Sequence, residues 1–159
     1  MLADPLREND IAVMIQRTHS VPRFAEDDID LPYKLPKLLE DEGVEYCLQG
    51  EGRMPEMNTR NLPFYAGTAI AYGLEYEQAV RALTLSTARI LGIDDVCGSL
   101  EPGKDATLFI SKGDALDMMG NDVQHAWVQG RDVVLDNKQI QLYEKYKAKY
   151  DAQRAAGGR

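Results

Sequence analysis

Two short apolar runs, IAVMIQ (11–16) and VEYCLQG (44–50), constrain this chain more than any other feature. Each is continuous rather than alternating and too short for a helix of ordinary length, so each reads as a strand covered on both faces. Between them lie an irregular stretch, RTHSVPRFAEDDIDLP, broken by Pro22 and Pro32, and a segment with helical spacing, YKLPKLLEDEG. There Leu35, Leu38 and Leu39 share one face, Pro36 suits a first turn, and Gly43 supplies the stop. Strand, loop, helix and strand in that order make a parallel crossover unit, which places the chain in the α/β class.

A second loop, EGRMPEMNTRNLPF, leads into YAGTAIAYGL, whose small residues suit a helix packed closely on a neighbour. EYEQAVRALTLSTARILG predicts one further helix with Ala79, Leu83, Ser86 and Ile90 along one face and Gly92 closing it. The character then changes. DATLFI and HAWVQGRDVVL read as short strands, with Gln129 and Gly130 as a turn. KQIQLYEKYKAKYDAQRA follows as a charged helix, and AAGGR as a frayed end.

Charge and composition exclude several functions. A net charge of -8 opposes sequence-independent nucleic-acid binding, which needs clustered cations to replace counterions. Lys145, Lys147, Lys149 and Arg154 are interleaved with Tyr, Glu and Asp and read as a solvated helix face. No apolar run approaches the roughly 20 residues that span a bilayer. The opening MLADPLRENDIAV lacks the basic and apolar regions of a secretory signal, so a cytoplasmic location is expected for the chain as written. Cys47 and Cys97 show no CxxC spacing and are expected to be buried free thiols.

TLSTARILGIDDVCGSLEPGKDATLFI carries a resemblance. From Gly98 to Ala106 it resembles the segment that, in amidohydrolase-superfamily enzymes, joins the last barrel helices to a small composite β-sandwich. Ser86, Thr87 and Ala88 stand where that pattern has Asn-Pro-Ala, and Thr107 replaces an Asp. VQHAWVQGRDVVL resembles the closing hairpin of the same module, and RNLPFYAGTAIAYGL is most similar to the imidazolonepropionase-like branch. The resemblance implies the C-terminal part of a (β/α)8 TIM-type barrel, its last two βα units, followed by a small β module and a C-terminal helix. The corresponding boundaries are residues 1–92, 93–136 and 137–159.

Such enzymes hydrolyse cyclic amides or other C–N bonds with a divalent, zinc-like metal held at the carboxyl ends of the barrel strands. The resemblance places Glu51 at the position of the eighth-strand Asp, with a carboxylate one methylene longer. His19 then ends the seventh strand on the ligand-facing side, although a lone His before Ser-Val-Pro also suits a hydrogen-bonded turn. Arg60 and Asn61 open the next helix, where Arg60 can clamp a carboxylate and Asn61 is either a substrate contact or an N-cap. His125, alternating with Trp127, reads as structural.

Two histidines and no His-x-His leave this chain unable to build the usual binuclear site, or a zinc site with three protein nitrogens. His19 and Glu51 alone would make only two ligands. The expectation is therefore a catalytically silent portion of a metal-dependent hydrolase. Its partner would be the remaining barrel portion, or a second copy, with a small-molecule amide as substrate of the whole protein. An alternative is a non-catalytic interaction module derived from that fold, with AEDDID and the last helix as contact surfaces.

Overall fold

The computed structural model describes residues 3–16, 18–50 and 55–157. α1 (Ala3–Glu8) has no counterpart in the sequence reading; it leads through Asp10 into β1 (Val13–Ile15). α2 (Leu31–Asp41) then crosses to β2 (Tyr46–Leu48), which pairs with β1 in parallel, Val13 opposite Tyr46 and Ile15 opposite Leu48. The predicted crossover unit is present.

α2 starts at Leu31 because Pro32 takes the first turn. Pro36 consequently sits inside the helix, buried, and not in the first turn as its spacing suggested. Gly43 ends α2 with φ +68, and the Gly43 and Val44 amides donate to the Glu40 and Leu39 carbonyls. That closure needs a left-handed residue, which glycine adopts without a Cβ penalty.

β2 is buried at all three residues, as expected. β1 departs from expectation. Among the described residues the sheet has two strands, so one edge of β1 has no neighbouring strand, and Met14 keeps 43% of its surface exposed.

α3 (Pro55–Asn58) and a single 3-10 turn (Thr59–Asn61) lead into α4 (Leu62–Ala71). The segment expected as one long helix is two, α5 (Tyr76–Leu83) and α6 (Leu85–Leu91). They part at Thr84, whose backbone turns to φ −122 and ψ −88 while its hydroxyl donates to the Val80 carbonyl at 2.8 Å. A Thr side chain bonded back to the preceding turn competes with helix continuation. Ile15, Tyr46, Leu48, Ala66, Ala69, Leu74, Ala79 and Ala82 form the core between the strands and these helices.

Leu116, which lies in no periodic pattern, joins the same core. Its loop is held by Asp114, whose carboxylate accepts from the Tyr76 hydroxyl at 2.9 Å and the Leu116 amide at 2.8 Å. A Cβ on Gly67 of α4 would collide with the Leu116 carbonyl oxygen, so glycine permits this approach.

β3 (Leu108–Ser111), β4 (Val123–Val128) and β5 (Arg131–Asp132) form an antiparallel sheet, turned at Gln129 and Gly130, both with positive φ. The Gly98–Ala106 run is a self-bonded turn leading to it. Lys104 donates to the Ser99 hydroxyl at 2.6 Å, and Ser99 donates to Glu101 at 2.6 Å. These contacts, the Ser99 bond first and then Lys104, hold the Glu101 carboxyl below its usual range. Asp105 accepts from the Gln129 side chain at 3.0 Å, tying the turn to the hairpin. α7 (Lys138–Ala155) ends the fold, capped by Asn137, whose side chain accepts from the Ile140 amide at 3.0 Å. No described helix is long and apolar enough to cross a membrane.

Candidate functional site

Parallel pairing sets the carboxyl ends of β1 and β2 side by side, and the Gln49 amide extends the ladder by donating to the Ile15 carbonyl at 3.1 Å. The segments that follow the two strands leave from one edge, where α/β proteins gather their functional groups. Thr18, buried to 2% exposure, anchors the first of them, and His19 comes next. On the second, a Cβ at Gly50 would lie 3.5 Å from the Thr59 Cα, so the 3-10 turn carrying Arg60 and Asn61 sits against the strand end.

His19 reaches α4. Its Nε2 lies 2.6 Å from the Thr68 hydroxyl, and that hydroxyl donates its own hydrogen to the Phe64 carbonyl at 2.9 Å. Thr68 can therefore only accept from the imidazole, which assigns the proton to Nε2 and leaves Nδ1 as an acceptor. The ring meets Tyr65 edge-on with centroids 4.7 Å apart and lies 5.9 Å from Tyr33. Partial burial among these rings lowers the His19 pKa below its ordinary value, so the ring is neutral at pH 7.

Tyr33 stacks on Tyr72 at 5.4 Å, and the Tyr72 hydroxyl points to Asp30 at 3.5 Å. Burial, and then the Asp30 charge, raise the Tyr72 pKa. Lys34 bridges Asp28 at 2.5 Å and Asp30 at 3.8 Å. Its hydrogen bond holds the Asp28 carboxyl low, and Asp28 in turn raises Lys34. Asn61, Tyr65, Thr68 and Tyr72 are spaced four, three and four residues apart. That spacing sets them on one helical side of α4 and its end.

The predicted site residues fare differently. His19 is brought against α4. Asn61 precedes α4 at the N-cap position without a side-chain capping bond, which corrects the capping alternative: the 3-10 turn runs straight into the helix with φ −90 and ψ −6, not the extended backbone a capping side chain needs. Arg60 is exposed on the same turn. Glu51 lies outside the described residues. His125 stacks on Trp127 at 5.8 Å in the antiparallel sheet. Cys47 is buried, but Cys97 is only half-buried, contrary to expectation, because it follows α6 in a surface turn.

Tyr33, Tyr65, Thr68 and Tyr72 were not singled out in sequence. For Tyr65, Thr68 and Tyr72 the signal was a row of hydrogen-bonding residues on one side of α4 and its end, a helix otherwise made of apolar and small residues. Tyr33, on α2, carried no such signal.

Among the described residues no three or more of His, Cys, Asp and Glu stand close enough together to hold a metal ion. His19 also commits Nε2 to Thr68. This donor set does not fit a zinc site, which takes three or four protein ligands.

The profile of the amidohydrolase family matches residues 33–136, and the chain belongs to that family. It is 42% identical over 59 residues to the putative N-acetylgalactosamine-6-phosphate deacetylase of Escherichia coli K12, a match covering 37% of this chain and 32% of that protein. An amidohydrolase from Thermotoga maritima has a similar structure, with a TM-score of 0.70 and 27% identity over 84% of this chain and 34% of its own. An adenosine deaminase from Xanthomonas campestris, solved with bound zinc, shares the fold at a TM-score of 0.58 and 19% identity, covering 97% of this chain and 40% of that one. The chain thus spans about a third of the length of these first relatives. Its α/β fold resembles theirs, without a closed barrel among the described residues.

Proposed function

We propose that this chain forms the closing part of an amide-hydrolysing barrel and supplies one wall of its substrate site, while the metal ligands come from strands outside it. The observation that carries this reading is His19, held against Tyr65 and Thr68 beside the carboxyl ends of two parallel strands. With Nε2 fixed as a donor to Thr68, Nδ1 is free to accept a hydrogen bond from an amide N–H or a substrate hydroxyl. Tyr65 offers an apolar face beside it. Asn61 and Arg60 would contact the substrate's polar or anionic part. Glu51 would stand at the position of the eighth-strand Asp.

The substrate class is an amide C–N bond, cyclic or exocyclic. Similarity to a deacetylase of a phosphorylated N-acetyl amino sugar makes such a compound the first to try. On this reading residues 1–92 close the barrel, 93–136 contribute to a composite β-sandwich, and 137–159 form the terminal helix and tail.

The test is amide hydrolysis with N-acetylgalactosamine 6-phosphate and a cyclic imidazolone amide. It is run on the chain alone and on the chain co-expressed with a polypeptide carrying the other barrel strands. Turnover is expected only with the companion, reduced at least tenfold by His19→Ala. Turnover by the chain alone, or a companion complex indifferent to His19→Ala, would refute the proposal.

A second reading, a non-catalytic interaction module, has one observation in its favour. Every residue of α7 is exposed, including Tyr143, Tyr146 and Tyr150, and an 18-residue helix draws little stability from itself. Deleting residues 137–159 abolishes partner capture on this reading and leaves hydrolysis by the companion complex unchanged on the first.

A further inference from the structure

α7 is exposed along its whole length, and its charges are sorted around it. Lys138, Leu142, Lys145 and Lys149 follow one another at four, three and four residues, which sets them in a row on one side of the helix. Tyr143, Tyr146 and Tyr150, spaced three and four, make a second row beside it. Glu144 and Asp151, seven residues apart, lie on the remaining side, and Asp151 is paired there with Arg154 at 3.5 Å.

The basic row has no such relief. Among the described residues no carboxylate pairs with Lys138, Lys145 or Lys149; Lys149 lies over the Tyr150 ring at 5.9 Å. Lys145 and Lys149 stand four residues apart, a spacing at which like charges destabilise a helix. The tyrosines beside them keep 61%, 48% and 53% of their surface exposed. An anionic partner with apolar side chains would relieve the repulsion and cover the rings.

This chain carries such a segment. Its net charge is -8, and residues 24–30, FAEDDID, hold four carboxylates in seven residues, with Phe24 and Ile29 56% and 72% exposed among them. Lys34 pairs with Asp28 and Asp30. Glu26 and Asp27 have no cationic partner among the described residues, and Arg23 turns back over the Phe24 ring at 5.5 Å. Because α7 is exposed throughout, the loop of its own chain does not cover it.

We infer that α7 docks residues 24–30 of a second copy, joining copies head to tail. The lysine row faces Glu26 and Asp27, and the tyrosine row meets Phe24 and Ile29. Opposed charges fix the register of such a contact, and the rings supply buried surface. One helix face on one short loop falls at the small end of protein interfaces, so the association is weak and salt-sensitive. It does not depend on the hydrolase reading.

The experiment is sedimentation equilibrium on the 159-residue chain carrying Met14→Lys, which removes association through the β1 edge. Association is expected at low salt and should weaken at least tenfold between about 50 and about 500 mM salt. Two variants each change one half of the contact: Lys145→Glu with Lys149→Glu on α7, and Glu26→Lys with Asp27→Asn in the loop. The asparagine keeps the oxygen that accepts from the Phe24 amide. Either variant alone should be monomeric. Mixed in equal amounts they should associate again, since the acidic α7 of one then meets the basic loop of the other; that recovery also shows both to be folded.

A chain monomeric at low salt, association indifferent to salt, or a mixture that stays monomeric would each overturn the inference. So would a loop variant that associates like its parent, which would mean that α7 pairs with another α7.

Discussion

At the scale of single residues, His19 and Cys47 give the clearest tests. The folded-state pKa of His19 is lowered, so the unfolded chain binds its proton more readily. The folded state bears no penalty above the unfolded value of about 6.5, and loses stability as pH falls through that value toward the lower folded one. Melting temperature should therefore fall between pH 7 and pH 5, and His19→Gln should flatten that window. Asp28 and Glu101, held low by their partners, act only in a separate window below about pH 4.

Burial raises the Cys47 thiol and shields it, whereas Cys97 is half-buried. A thiol reagent should label one cysteine in the native chain, and the second only on unfolding. His19 was legible in sequence as a candidate because it follows an apolar run. Its partners were not, because Tyr33, Tyr65 and Thr68 meet it only through the packing of α2 and α4.

At the scale of elements, local chemistry announced itself wherever one residue type decides a backbone state. Gly43 and Gly92 close α2 and α6 with φ +68, and Gln129 with Gly130 turns β4 into β5. α7 covers the residues its pattern marked. The break at Thr84 escaped because its apolar spacing is continuous, and a side-chain bond to the preceding turn leaves no trace in that spacing. Leu116 escaped because its burial depends on a glycine nearly fifty residues away. Gly67→Ala should lower stability by about 2 kcal/mol, since α4 must move off the Leu116 carbonyl; chemical denaturation measures it. Ala71→Gly, on the exposed end of the same helix, should cost no more than about 1 kcal/mol.

At the scale of the whole molecule, two surfaces remain open among the described residues. β1 has an edge without a neighbouring strand, beside exposed Met14, and the antiparallel sheet leaves Phe109, Ile110 and Val128 exposed. Strand edges and apolar patches of this kind pair with other chains unless covered. Light scattering on the purified chain should show self-association at micromolar concentration, reduced by Met14→Lys. The family was legible from the Gly98–Ala106 turn and is established over residues 33–136. The substrate was not, because that turn positions no reacting group.

The most direct test of a substrate wall without its own metal set is zinc content. The chain is equilibrated with excess zinc, dialysed against zinc-free buffer and analysed by mass spectrometry for metal per polypeptide. Well under one zinc per chain is predicted, unchanged by His19→Ala. One zinc per chain, lost in His19→Ala, would show that this chain builds the metal site by itself.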